Sequence, residues 1–209
     1  MTKLKVINNF LNENDFDYLS NLKLKNIHKN DIKVYHNSID KNEKINLECI
    51  SEKKIKELQK NYHSVALGIL RELNPEKVSL YDYSEFHIIE TGANYTFPIH
   101  DDIPDKLLSG VIYLKPKENS GTIFYDSQSG DGKKEVKWKQ NKAVFFSRKE
   151  RETWHSYEGD KKNNRIVLVY NLMTKNLKSV YKVEKKNFFF GKIRQKLNPY
   201  LHRYFGKII

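Results

Sequence analysis

Histidine and acid at short spacing is the pattern in this chain best able to do metal chemistry. Seven histidines are present: His28, His36, His63, His87, His100, His155 and His202. Only His100 has a carboxylate two positions later, in Ile99-His100-Asp101-Asp102. In an extended segment, residues two apart share a face, so His100 and Asp102 could grip one cation while Asp101 turns away. One extended segment cannot wrap an ion, so a third ligand must come from another strand. His155, in Thr153-Trp154-His155-Ser156-Tyr157, fits that need. Two imidazoles and one carboxylate leave three positions of an iron(II) ion open for substrates and oxygen. Ten residues beyond His155, Arg165 opens the apolar run Ile166-Val167-Leu168-Val169-Tyr170. An arginine there is costly to bury unless it meets an anion, and a carboxylate gripped in bidentate fashion would explain it. Each residue also has an ordinary alternative: a loop histidine, a solvated Asp101-Asp102 turn, a satisfied strand histidine, a surface arginine.

The elements that must position these groups are legible in outline. A short strand at Lys5-Val6-Ile7 is followed by a helix over 15–24 capped by Asn12 or Asn14, with Phe16, Leu19 and Leu22 at helical spacing. A strand is expected within 31–38 and a loop over 40–46. Ser51 opens the clearest helix, in which Ile55, Leu58, Tyr62, Val65, Leu67, Ile69 and Leu73 form an apolar face up to Asn74-Pro75. From about Val78 the period shifts towards two. Strands are expected over 85–90, 108–114, 122–125, 135–138, 143–147, 153–157 and 165–172, separated by Gly-, Asn- and Asp-rich turns. This predicts an all-β core, a sandwich or barrel, with the N-terminal helices buttressing one sheet.

Composition narrows the function classes. The single Cys49 excludes an intramolecular disulfide framework and a multi-cysteine zinc site. No run approaches the roughly 18 apolar residues of a membrane span, and the N-terminus lacks a signal-peptide pattern, so a cytoplasmic location is expected. The net charge of +12 comes mainly from lysine, with only six arginines, so charge alone makes a weak case for nucleic acid. Residues 182–209 hold eight lysines and arginines against one acid, Glu184, a local net charge of +7. There Phe190, Ile193, Leu197, Leu201, Tyr204 and Ile208 recur every three or four residues, giving a basic amphipathic tail that Pro199 is expected to divide into two helices. Its apolar stripe could pack back on the core or contact a membrane surface.

The order His100-x-Asp102, His155, Arg165 resembles the iron(II)- and 2-oxoglutarate-dependent dioxygenases, particularly their prolyl 4-hydroxylase-like branch. Val6-Ile7-Asn8-Asn9-Phe10-Leu11 is similar to that branch's opening strand and turn, Ser120-Gly121-Thr122-Ile123-Phe124 to its glycine-led strand, and Asn141 to Phe146 to the strand before the second histidine. The resemblance covers residues 4 to 173. It implies a double-stranded β-helix (a jelly-roll, cupin-like barrel) in a dioxygenase domain over 1–181, with 182–209 an appended helical tail. It implies that His100, Asp102 and His155 bind iron, that Arg165 pairs with the distal carboxylate of 2-oxoglutarate, and that Tyr113 hydrogen-bonds the same carboxylate. Iron(II), 2-oxoglutarate and O2 are the implied cofactor and cosubstrates, with ascorbate an optional reductant. The implied reaction is hydroxylation of a C–H bond with release of succinate and CO2. Halogenating members lack the carboxylate that Asp102 supplies, and the nucleic-acid-demethylating branch has an arginine where this chain has Asn171, so both nucleic acid and halogenation are disfavoured. The prime substrate stays open among a protein side chain, a sugar and a small metabolite. The competing expectation is a metal-free β-sandwich module that engages an acidic polymer or a membrane through its tail.

Overall fold

The computed structural model describes residues 3–205, as backbone alone at 199 and 202–205. Strand β1 (Lys5–Ile7) leads into α1 (Glu13–Ser20), where the Asn12 side chain accepts the Asp15 amide at 2.8 Å and caps the first turn. The helix stops earlier than its apolar spacing predicts, at Asn21, whose amide makes the last helical bond, shared between the Asp17 and Tyr18 carbonyls. Helix α2 (Glu52–Leu73) begins as expected at Ser51, whose hydroxyl accepts the Lys54 amide, and ends before Pro75. Its buried stripe is Ile55, Leu58, Tyr62, Ala66, Ile69 and Leu70, whereas Val65, expected on that face, is exposed. Between the helices lie β2 (Ile32–Tyr35) and the short pair β3 (Ser38–Asp40) and β4 (Ile45–Asn46). This pair brackets the stretch expected as a loop. Asp40 Oδ1 accepts the Asn42 and Lys44 amides and closes the turn between them.

After a 3-10 turn over Pro75–Leu80 come β5 (Tyr83–Thr91), β6 (Thr96–His100), β7 (Lys106–Lys115), β8 (Thr122–Tyr125), β9 (Lys134–Val136), β10 (Ala143–Phe146), β11 (Trp154–Glu158) and β12 (Arg165–Met173). All pairings are antiparallel. The 8-stranded sheet runs β1-β10-β7-β12-β5-β3-β4, with β2 also on β5, and the 4-stranded sheet runs β6-β11-β8-β9.

Strand alternation sorts the core into two layers. On β12, Ile166, Leu168, Tyr170 and Leu172 join Phe86, Ile88, Ile112 and Phe145 beneath α1 and α2. The opposite face contributes Val167, Tyr113, Val144 and Phe146, which pack with Phe124 and Val136 of the smaller sheet. The helices therefore cover one face of the large sheet and the small sheet covers the other. Gly110 is required where β7 passes under Phe145: a Cβ there would lie 2.3 Å from the phenyl ring.

Helix α3 (Leu177–Val183) runs across the expected boundary at 181, and α4 (Phe188–Phe205) lies within the tail. Helix α4 is continuous through Pro199, against the expected division. Its apolar stripe does not pack on the core either: Phe189, Phe190, Ile193, Leu197 and Tyr200 are exposed. Tyr204 and Ile208, assigned to that stripe from sequence, lie outside the residues with described side chains. No helix among the described residues is long and apolar enough to cross a membrane.

Candidate active site

His100 closes β6 and His155 lies near the start of β11, and the two are register partners across the small sheet, with ring centroids 4.2 Å apart. Asp102 does not continue β6, as the same-face argument from spacing assumed. The strand ends at His100 and Asp102 follows in the connection to β7. What holds it is β7. Lys106 Nζ donates to Asp102 Oδ1 at 2.7 Å, and Ser109 Oγ donates to Oδ2 at 2.5 Å. One ligand-capable atom from each of His100, Asp102 and His155 lies within 4.8 Å of the others.

The imidazoles are oriented by their own backbone. His100 Nδ1 lies 2.8 Å from the Pro98 carbonyl and His155 Nδ1 lies 3.0 Å from the Thr153 carbonyl. A carbonyl only accepts, so each Nδ1 carries the proton and each Nε2 is left with a free lone pair, the tautomer a metal ligand needs. The surroundings are apolar on one side. Phe97 meets His100 edge-on at 4.3 Å, and Phe146 lies 4.8 Å from the His155 ring. Burial, then the neighbouring His155, push the His100 pKa down to about 3, which keeps the ring neutral. Burial alone would raise the Asp102 pKa, but the Lys106 ammonium beside it holds it far below the usual carboxylate range. The donor set is thus two imidazole nitrogens and one carboxylate, which suits iron(II) and similar divalent ions.

Arg165 opens β12 and is only 5% exposed. Among the described residues no acid pairs with it, and its Nε has no hydrogen-bond partner. Instead it sits in an aromatic box, 3.9 Å from the Tyr157 ring centroid and 5.6 Å from those of Tyr113 and Trp138. Tyr157 is two residues beyond His155 on β11, and such positions share a strand face about 7 Å apart. The pairing with β6 shifts register between these two residues, but the box and the histidines share one core: Tyr113 packs with Phe124 and Phe146, whose rings lie 5.9 and 4.8 Å from that of His155. Tyr113, 0% exposed, stacks on Trp138 and lines the box. Its hydroxyl accepts the Thr122 amide at 3.0 Å and has the Thr122 hydroxyl and the Val136 carbonyl within reach as acceptors.

Several supporting residues carried no signal in the sequence. Beside Lys106 and Ser109, Arg148 is fully buried and its Nε donates to the Asp102 backbone carbonyl at 3.0 Å. Its Nη1 donates to Glu184 Oε2 at 2.7 Å, while Lys77 holds Glu184 Oε1 at 2.6 Å and also reaches the Arg148 carbonyl. Asp101 turns away from the cluster, as spacing predicted, and accepts the Arg151 amide and the Arg194 guanidinium. These pairs join residues far apart in sequence, so no local pattern announces them.

No family model matches the chain, and no curated protein matches it in sequence. Solved structures do match its fold. A Pseudomonas putida prolyl-4-hydroxylase aligns with TM-score 0.55 at 14% identity, covering 84% of this chain and 94% of that one. A 2OG-Fe(II) oxygenase family oxidoreductase from Burkholderia pseudomallei aligns with TM-score 0.53 at 15% identity over 81% and 84%. A prolyl hydroxylase from Trichoplax adhaerens, solved with a hypoxia inducible factor peptide fragment, gives 0.54 at 13% over 86% and 87%. The chain has the fold of the 2-oxoglutarate- and iron(II)-dependent oxygenases. At such identities the likeness is one of backbone architecture, and the chemistry rests on the side chains described above.

Proposed function

We propose that this protein is an iron(II)- and 2-oxoglutarate-dependent dioxygenase, built on a double-stranded β-helix, that hydroxylates a C–H bond of its substrate. The balanced reaction consumes the substrate, 2-oxoglutarate and O2 and releases the hydroxylated product, succinate and CO2. The observation that carries it is the convergence of His100, Asp102 and His155 on the core that also holds a buried arginine with no acid of its own. A metal-free binding module gives no reason for either feature.

In this reading His100, Asp102 and His155 hold iron(II), which when bound supplies the site for activating O2 against the ketoacid. Arg165 receives the distal carboxylate of 2-oxoglutarate, and that anion supplies the partner its burial demands. Tyr157, Tyr113 and Trp138 fix the guanidinium plane. The Tyr113 hydroxyl can serve the same carboxylate only by giving up one of its present acceptors. Lys106 and Ser109 keep Asp102 ionised and aimed, and Phe97, Phe124 and Phe146 keep water from the imidazoles. Residues 1–181 form the dioxygenase unit and 182–209 the basic helical appendage. The substrate class stays with the three named from sequence. A peptide side chain gains support from the Trichoplax relative of like fold, which was solved with a peptide.

Succinate release tests this. Iron(II)-loaded protein supplied with 2-oxoglutarate and O2 is expected to form succinate, even without substrate at an uncoupled rate, and His155→Ala is expected to abolish it. Equal succinate from wild type and His155→Ala would overturn the proposal.

A further inference from the structure

Helix α4 is amphipathic in the reverse sense to a core helix. Its inward face combines ion pairs with a ring contact between Phe188 and Tyr181 at 5.6 Å. Arg194 Nη2 pairs with Asp101 Oδ2 at 3.0 Å and with Glu150 Oε1 at 3.2 Å. Gly191 lets the helix lie against Tyr181, since a Cβ would meet that ring at 2.2 Å. The outward face is apolar: Phe189, Phe190 and Tyr200 are 67%, 69% and 66% exposed, and Ile193 and Leu197 are exposed beside them. At 3.6 residues per turn these five fall within an arc of about 100° and extend about 16 Å along the axis. Lys192 and Lys196, both exposed, follow one margin of the stripe. No acidic residue occurs from 185 to 209.

We infer that α4 is a docking face for anionic membrane surfaces, lying in the plane of the interface with its aromatic and aliphatic stripe in the headgroup–acyl boundary. An apolar stripe with lysines along its margin and no acid is the pattern that partitions into such an interface. Charge selects this occupant over a second copy of the chain, which would set one +7 tail against another. Arg194 ties the helix to Asp101, between His100 and Asp102, so docking would also fix how the candidate active site faces the bilayer. The inference does not depend on the chemistry proposed for that site.

The test is co-sedimentation of the full chain with phosphatidylcholine vesicles, with and without phosphatidylserine. Retention on the phosphatidylserine vesicles, weakened by salt, is expected, with at least about tenfold less on neutral ones. Lys192→Gln/Lys196→Gln should lower retention about 25-fold at low salt, each lysine near an anionic surface being worth roughly fivefold. Phe189→Ser/Ile193→Ser/Leu197→Ser should abolish it while leaving circular dichroism and Tm unchanged, since these side chains touch solvent. No retention on either vesicle would overturn the inference, as would undiminished retention of the triple-serine variant. So would a wild-type dimer that this variant converts to a monomer, because the stripe would then be covered by another copy.

Discussion

Replacing Arg165 by methionine should move stability and ligand binding in opposite directions. The guanidinium is buried with no acid to neutralise it, and the effective penalty for burying an ion is several kcal/mol. The Tyr157 ring at 3.9 Å returns about 2 kcal/mol, and the rings at 5.6 Å return less. Methionine keeps the apolar stem without the charge. The ligand-free Arg165→Met protein should therefore be more stable by about 1–2 kcal/mol, a rise in Tm of roughly 2–8 °C for a chain this size. Binding of 2-oxoglutarate should suffer, since removing one partner of a buried charge pair costs about 2–5 kcal/mol, or about 30- to 4,000-fold in Kd. Differential scanning calorimetry of the ligand-free protein gives the first quantity. Anaerobic titration calorimetry of the iron-loaded protein with 2-oxoglutarate gives the second. A Kd within about threefold of wild type would refute the assignment of Arg165. A fall in ligand-free Tm would refute the claim that its charge is uncompensated.

Ser109→Ala removes one of the two side-chain donors to Asp102, and should weaken iron(II) binding about 10–100-fold with little change in Tm, as titration calorimetry would show. Glu184→Ala leaves Lys77 buried without an acid and Arg148 with only the longer 3.9 Å pair to Asp101, and should cost about 3–5 kcal/mol by urea unfolding. Asp15, buried in the first turn of α1, accepts from Lys54, Tyr62, Asn61 and Asn12, so Asp15→Ala should cost about 2–4 kcal/mol at neutral pH. Burial opposes the Asp15 charge, but these donors, Lys54 first, hold its folded pKa below the ordinary 3.8. A lowered folded pKa adds stability above the unfolded value and loses it as pH falls through the folded one. The gap between wild type and Asp15→Ala, followed by urea unfolding, should therefore be full at pH 5 and above and shrink below about pH 4.

Where structure is local, the sequence announces it. Helix α2 carries its cap at Ser51, its stop at Pro75 and its apolar period between them, and β12 alternates cleanly enough to assign both its faces. The β3 and β4 strands are too short to show a period, and it is their pairing with each other and with β5 that makes them strands. The pairing of His100 with His155 is legible because their strands are. The placement of Asp102 is not, because it depends on where β6 ends and on Lys106 and Ser109 of another strand. Arg165 was correctly marked as a buried cation, yet the carboxylate inferred for it is absent from the chain's own fold. The tail shows how far periodicity reaches: the stripe was visible, but its direction is set by an Arg194–Asp101 contact spanning 93 residues.

The central claim is that His100, Asp102 and His155 form one metal site, and anaerobic iron(II) titration of the folded chain tests it most directly. The account predicts one iron(II) per chain, with His100→Ala, Asp102→Ala and His155→Ala each binding at least about 100-fold more weakly while keeping wild-type circular dichroism. Wild-type iron affinity in any of the three folded variants would contradict it.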